Sequence, residues 1–198
     1  MPRHPDPDLE ERILKAAHTL WMRGGEKSLT MRAVARAAHT NTPAVYRRFK
    51  NRRDLLRGLL QRIALQIRQH FVQAHSIEGM AEAYVDRALQ IPHEYELFYS
   101  HAYALTTGRG GARVTAIREA RPNFGLLESL LADRLGGKGE DHTQLALEVW
   151  SLLHGTVMLL LQKAVPAGHE EEVRQACREG LKALLQSAEK KTQLAAQV

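Results

Sequence analysis

Positions 42–52 read TPAVYRRFKNR, a run whose side chains suit one kind of chemistry. Arg47, Arg48, Lys50 and Arg52 crowd cationic groups around Tyr46, and cations at that density neutralise phosphates. Residues that make and break bonds are present but not assembled. The ten histidines are scattered, and the tightest ligand-like grouping, His93 with Glu94 and Glu96, reads as a solvated helix start. Ser151 and His154 lack the strand–turn–helix elbow of an activated serine. Gly108-Arg109-Gly110-Gly111 is not followed by a phosphate-loop pattern. The lone Cys177 falls in an apolar stripe, where a thiol is most often a small buried hydrophobe. No catalytic residue, metal site or cofactor is therefore expected.

Charge placement agrees. Thirteen of the 28 Lys and Arg residues, but only six of the 22 Asp and Glu, lie within the first 57 positions. The first quarter of the chain is a local basic field that attracts a polyanion. Charge alone leaves a merely soluble basic surface open.

Presenting that run requires helices. Strand signals are nearly absent, and apolar residues recur with helical period throughout, so an all-α fold of about nine helices is expected. A first helix over about 8–23 aligns Leu9, Ile13, Ala16, Ala17, Leu20 and Trp21, with Asp6, Asp8, Glu10 and Glu11 crowding its positive end. Gly24-Gly25 should stop it. Thr30 should cap a second helix to about 38, with Leu29 and Val34 as a hydrophobic staple. After a tight turn a third helix covers about 42–49, with Pro43 in its first turn. Two short helices so joined are helix-turn-helix geometry. Val34, Ala35, Ala38, Val45 and Phe49 supply its inner face. Thr42, Ala44, Tyr46, Arg47 and Arg48 should point outward, where such a helix enters a DNA major groove about 12 Å wide. Further helices are expected near 52–75, 78–91, 93–106, 113–135 (broken or kinked at Pro122), 142–165 and 169–190. A DNA-binding domain at 1–53 would thus precede a ligand-binding and dimerisation domain at 54–198.

The segment 29–55, LTMRAVARAAHTNTPAVYRRFKNRRDL, resembles the tetracycline-repressor (TetR) family. The residues carrying the resemblance are Thr30 to Ala35, Ala38, and above all Val45-Tyr46-Arg47-Arg48-Phe49-Lys50 with Asp54-Leu55. It departs from the family where His39 replaces the usual turn glycine, Thr40 an apolar residue, and Arg48 a common histidine. The resemblance implies that Thr30 offers its amide and hydroxyl to a phosphate and that Arg32 reaches a base edge or phosphate. Thr42, Pro43 and Ala44 would meet base edges. Tyr46 would touch phosphate or sugar, and Arg47 and Arg48 phosphate or guanine. Lys50 and Arg52 would clamp the backbone, and Thr40 and Asn41 in the turn complete the set.

The segment 142–165 is apolar on two sides and needs partners on both. With the apolar face at 169–190 it suggests a four-helix interface across a two-fold axis, made by Leu152, Thr156, Leu160, Val173, Cys177, Gly180, Leu181 and Leu184. Burial of both helices within a monomer is the alternative, and the TetR resemblance points to the dimer. Trp150, His154 and Gly155 also resemble a subtype of the family marked by Trp, His and Gly on this helix. Tyr95, Phe98, Tyr99, Tyr103, Phe124, Trp150, His154 and Met158 are candidates to line a pocket for a largely apolar or aromatic effector, an ordinary aromatic core being the alternative.

The longest uninterrupted apolar run, 157–161, is far short of a bilayer span, and the N-terminus lacks a signal-like stretch. With one cysteine no internal disulfide forms, so a cytoplasmic protein without a membrane partner is expected. The expected function is a dimeric, ligand-responsive repressor binding a pseudo-palindromic double-stranded DNA operator. A helical binding or scaffold protein that has lost DNA binding is the alternative.

Overall fold

The computed structural model describes residues 8–101, 104, 116–121, 123–195 and 197; among these there is helix and no strand. The helices are α1 Leu9–Ser28, α2 Met31–Ala37, α3 Thr42–Arg48, α4 Arg52–Val72, α5 Ile77–Gln90, α6 Pro92–Ser100, α7 Ile117–Ala120, α8 Phe124–Leu135, α9 Thr143–Leu161 and α10 Glu170–Ala195. A 3-10 turn, Gly139–His142, leads into α9. The helix expected over 113–135 is two, α7 and α8, as the proline at 122 foretold. Positions 102–103, 105–115 and 122 lie outside the described residues, and with them Tyr103.

Two compact units form, one from Met1–Leu65 with Glu96–Ala120, the other from Gln66–Tyr95 with Arg121–Val198. In the first, α1 packs on α2 and α2 on α3. Its core is Ile13, Ala17, Leu29, Val34, Val45, Leu55, Leu59, Leu60, Ile63 and Leu97, all fully enclosed. The glycine pair interrupts the helical geometry of α1, as expected, and a kinked further run follows it. Gly25 takes φ +59 and ψ −152, a conformation closed to residues with a β-carbon. One further turn then closes at Ser28, whose hydroxyl donates to the carbonyls of Leu20 (2.6 Å) and Gly25 (2.8 Å).

In the second unit α9 is central, packed by α5, α8 and α10. Val149, Leu153 and Val157 fill one side of it. The stretch Gly139–Leu161 is long and apolar enough to cross a bilayer by length and composition alone. Ion pairs tie the rim: Arg134 of α8 reaches Glu78 (2.5 Å) and Glu189 (2.7 Å), and Arg174 of α10 reaches Asp86 of α5 (2.8 Å). Burial is the largest single influence on the Glu78 carboxyl and pushes it up, but the Arg134 hydrogen bond, a backbone amide and the Arg134 charge together hold it below its ordinary value.

Candidate nucleic-acid interface

The helix-turn-helix is set by two side-chain caps. Thr30 accepts from the Ala33 amide (3.1 Å) at the start of α2. Asn41 accepts from the Ala44 amide (2.9 Å) at the start of α3. Between them the chain turns in a six-residue loop closure, with the Thr40 amide donating to the Ala35 carbonyl (2.9 Å). His39 occupies the left-handed position that this closure needs, at φ +52. A glycine would hold it without strain, and histidine is among the residues that tolerate it.

Behind α3, Phe49 is 3% exposed and rests against Gly58 of α4. Asn51 caps α4 by accepting from the Asp54 amide (2.9 Å). Asp54 reaches back to accept from the Lys50 amide (3.0 Å). The acidic residue of the sequence signature is thus half of a reciprocal cap that fixes the exit from α3.

Most of the sequence-predicted set reaches the surface. Thr30, Arg32, Asn41, Pro43, Arg47, Arg48 and Lys50 are exposed, as is Tyr46 at 49%, while Thr40 and Thr42 are half-buried. Two residues depart from expectation. Ala44 is only 4% exposed and does not project. Successive helix positions lie about 100° apart, so a helix packed along Val45 covers one neighbour as well. Arg52 is tied to its own chain: Nε donates to the Leu29 carbonyl (3.1 Å), and one terminal nitrogen donates to the Glu26 carbonyl (3.2 Å) and carboxylate (2.8 Å). Arg52 pins the α1–α2 junction to the start of α4 rather than reaching out as a backbone clamp.

Glu26 is shared in this pin. The Arg52 hydrogen bond, more than the nearby His101, holds its carboxyl below the usual range. His101 is buried, stands edge-on to Trp21 at 4.9 Å and lies 3.5 Å from the Glu26 carboxylate.

The exposed basic groups meet around an open concavity of about 1300 Å³. It is lined by Leu9 and Arg12 of α1, Arg32, Ala35 and Arg36 of α2, His39, Thr40 and Asn41 of the turn, and Thr42, Pro43, Ala44, Arg47 and Arg48 of α3. Among the described residues no carboxylate lines it. Sequence reasoning singled out neither Arg12 nor Arg36. Arg12 lies far from the motif in sequence, and no local pattern marks it.

Comparison with known proteins decides the family. The model described as "Bacterial regulatory proteins, tetR family" matches residues 13–59, and that of the "Tetracyclin repressor-like, C-terminal domain" matches residues 77–184. The chain belongs to the TetR family. As a TetR-family protein it is a DNA-binding transcriptional regulator and not an enzyme. No curated protein matches its sequence significantly. Among solved structures, the multidrug binding protein EbrR in complex with imidazole superposes with a TM-score of 0.66 at 19% identity, covering 90% of this chain and 96% of that one. A protein of unknown function from Rhodococcus sp. RHA1 gives 0.66 at 20% identity, over 93% and 100%. A TetR variant from Acinetobacter baumannii AYE in complex with minocycline gives 0.52 at 20% identity, over 91% and 96%. At these identities the likeness concerns the fold.

The second unit of the regulator holds a polar chain within aromatic surroundings. The Tyr84 and Tyr95 hydroxyls lie 3.1 Å apart, and the Tyr95 hydroxyl is hydrogen-bonded to Nδ1 of His154, whose ring stacks on that of Tyr95 at 5.8 Å. Beside Phe124 stands Trp150, ring centres 6.0 Å apart, with the Arg121 guanidinium over the indole at 5.6 Å. Burial first, and then the charge of Arg121, push the His154 imidazole below its ordinary value. Tyr84 and Arg121 were missed by sequence reasoning because each sits on a helix or loop whose own pattern looks ordinary. Met158 is half-buried one turn beyond His154. Phe98 and Tyr99 belong to the first unit, ring centres 5.7 Å apart.

The expected dimer surface needs correction. Thr156, Cys177 and Leu181 are 5%, 6% and 3% exposed, buried within their own chain. The Thr156 hydroxyl donates to the Leu152 carbonyl. A β-carbon on Gly180 would meet Leu152 at 3.2 Å, so these two pack α10 against α9 inside one protomer. On the same two helices Gly155, Leu159, Ala176 and Ala183 are exposed. Sequence periodicity finds an apolar face but not which part of it the same chain already covers.

Proposed function

We propose that this regulator is a ligand-responsive repressor that binds a pseudo-palindromic operator as a homodimer. The observation that carries the reading is the exposed, capped α3 beside a basic concavity with no carboxylate among its described lining residues. In a dimer, two such helices would enter successive major grooves, with half-sites about one helical turn (34–36 Å) apart. The dimer would form through Gly155, Leu159, Ala176 and Ala183, flanked by the half-buried Leu152, Leu160, Val173, Gly180 and Leu184.

The effector site would centre on Tyr84, Tyr95 and His154 with Trp150 and Arg121, a mixture of aromatic walls and a few polar groups that suits a small aromatic molecule. The ligands named with two similar structures, imidazole and minocycline, support small-molecule binding by this fold. The effector would act by binding two dimer geometries unequally. A cytoplasmic location without a membrane partner fits this role, with α9 acting as the core helix of its unit.

A gel shift on the DNA upstream of the protein's own gene tests the reading. Saturable, salt-sensitive binding is expected. The double substitution Tyr46→Ala with Arg47→Ala should abolish it while thermal unfolding and oligomeric state stay unchanged, since both side chains are exposed. A double variant that binds like the parent would overturn the assignment of α3.

A further inference from the structure

We infer that the groove between α5 and α10 is a ligand site separate from the aromatic one, and that it takes a small carboxylate with a short apolar body, its anion held by Lys182 and Gln186. The groove lies within the second unit and has a volume of about 580 Å³, in the size range of small-molecule sites. α5 and α10 both pack on α9, and the span between them is crossed by side-chain ion pairs. The buried part of the lining is apolar: Ala81 and Val85 of α5, Thr156 of α9, and Cys177 and Leu181 of α10. The Thr156 hydroxyl is already engaged by the Leu152 carbonyl. Neither His154 nor Trp150 nor Arg121 lines this groove, so it is distinct from the effector site proposed above and does not depend on it.

What the groove can hold follows from which of its polar groups are already matched. Glu82 is paired with Arg174 (3.9 Å) and Arg178 (3.5 Å). Arg134 joins Glu78 and Glu189, and the Glu179 carboxylate accepts from the Gln175 amide (2.9 Å). Lys182 and Gln186 remain. Both line the groove, between Arg178 and Glu189 along α10, and neither side chain makes a hydrogen bond or ion pair among the described residues. Residues four apart on a helix are neighbours on one face, so an ammonium and a carboxamide can donate to the same acceptor. The one unmatched charge of the lining is therefore a cation. A carboxylate finds a free partner there, and charge-assisted bonds of this kind are the stronger ones. An amine would find every lining carboxylate already engaged. The apolar body of the ligand lies along the buried lining and the methylene stems of Arg178 and Lys182.

The test is isothermal titration of the whole chain with octanoate and with benzoate, and with octylamine as the cationic counterpart. Saturable carboxylate binding is expected, with octylamine much weaker. Lys182→Gln should lower carboxylate affinity about tenfold, as the loss of a charge-assisted hydrogen bond does. Lys182→Arg keeps the charge and should retain the affinity, and Gln186→Ala should weaken it less than Lys182→Gln. Both residues are exposed, so thermal unfolding of the free variants should match the parent. Binding of neither carboxylate, octylamine binding as tightly as octanoate, or full affinity in Lys182→Gln each overturns the proposal. Carboxylate binding that is lost in Arg121→Gln but kept in Lys182→Gln places the ligand among the aromatic residues. That result overturns this site and leaves the effector reading standing.

Discussion

Gly58 should be needed for its lack of a side chain. It lies within α4, where glycine costs about 1 kcal/mol relative to alanine, so Gly58→Ala ought to stabilise the helix if nothing else were near. However, the new β-carbon would stand 2.8 Å from Cε1 of Phe49 and 3.2 Å from Cδ2 of Leu14. Both neighbours are buried, at 3% and 8% exposure, so the Phe49 ring has little room to swing away. Overpacking of this kind costs about 1–3 kcal/mol. Set against the propensity gain, the net expectation is a loss of about 1 kcal/mol, or roughly 2–4 °C in Tm for a chain of this size. Because Phe49 seats the end of α3, operator affinity should fall along with stability, and Gly58→Val should worsen both. Thermal unfolding followed by circular dichroism, paired with the gel shift, reads the two effects. A Gly58→Ala protein as stable as the parent, or more so, would refute the close-contact reasoning.

Three other outcomes are expected. Asn41→Ala removes the cap on the Ala44 amide and should cost about 1 kcal/mol in thermal unfolding; an unchanged Tm would mean the cap is not formed. Gly155→Arg faces open space, and Leu159→Arg replaces a side chain 44% exposed. Each should leave the protomer folded but shift light-scattering mass from dimer to monomer, and a persistent dimer would move the interface elsewhere. His154 is held below its ordinary value, chiefly by burial, so the unfolded chain binds its proton more readily than the folded one. Its contribution is complete above about pH 6.5 and is lost as the pH falls through the folded value. Tm should therefore decline below that point, and His154→Gln should flatten the decline; an identical decline in the variant would count against the assignment.

What the sequence disclosed follows from how local each signal is. Thr30, Pro43 and the run from Val45 to Lys50 set α2 and α3 by caps and by an apolar face, both legible within a few residues. The interruption at Gly24-Gly25 was legible from the glycine pair itself, whereas the turn that follows it is held by Ser28 and by Arg52, 26 positions away from Glu26. Ala44 looked outward because helical period places a face to within about one residue, and a tight crossing buried one more. Thr156, Cys177 and Leu181 lie on the apolar face that periodicity detects, yet their own chain covers them. Tyr84 and Arg121 meet His154 and Trp150 only through the fold.

The inward turn of Ala44 bears on how this regulator discriminates among genomic sites. With that methyl withdrawn, Thr42 and Pro43 are the short groups left at the leading tip of α3. In the docked pose proposed above, a tip so poor in donors spells out few letters of its target. Discrimination then falls more heavily on how willingly each duplex narrows, widens or bends to meet the arginines. Binding sites for such a protein would form a loose consensus, related by mechanical pliancy more than by shared text.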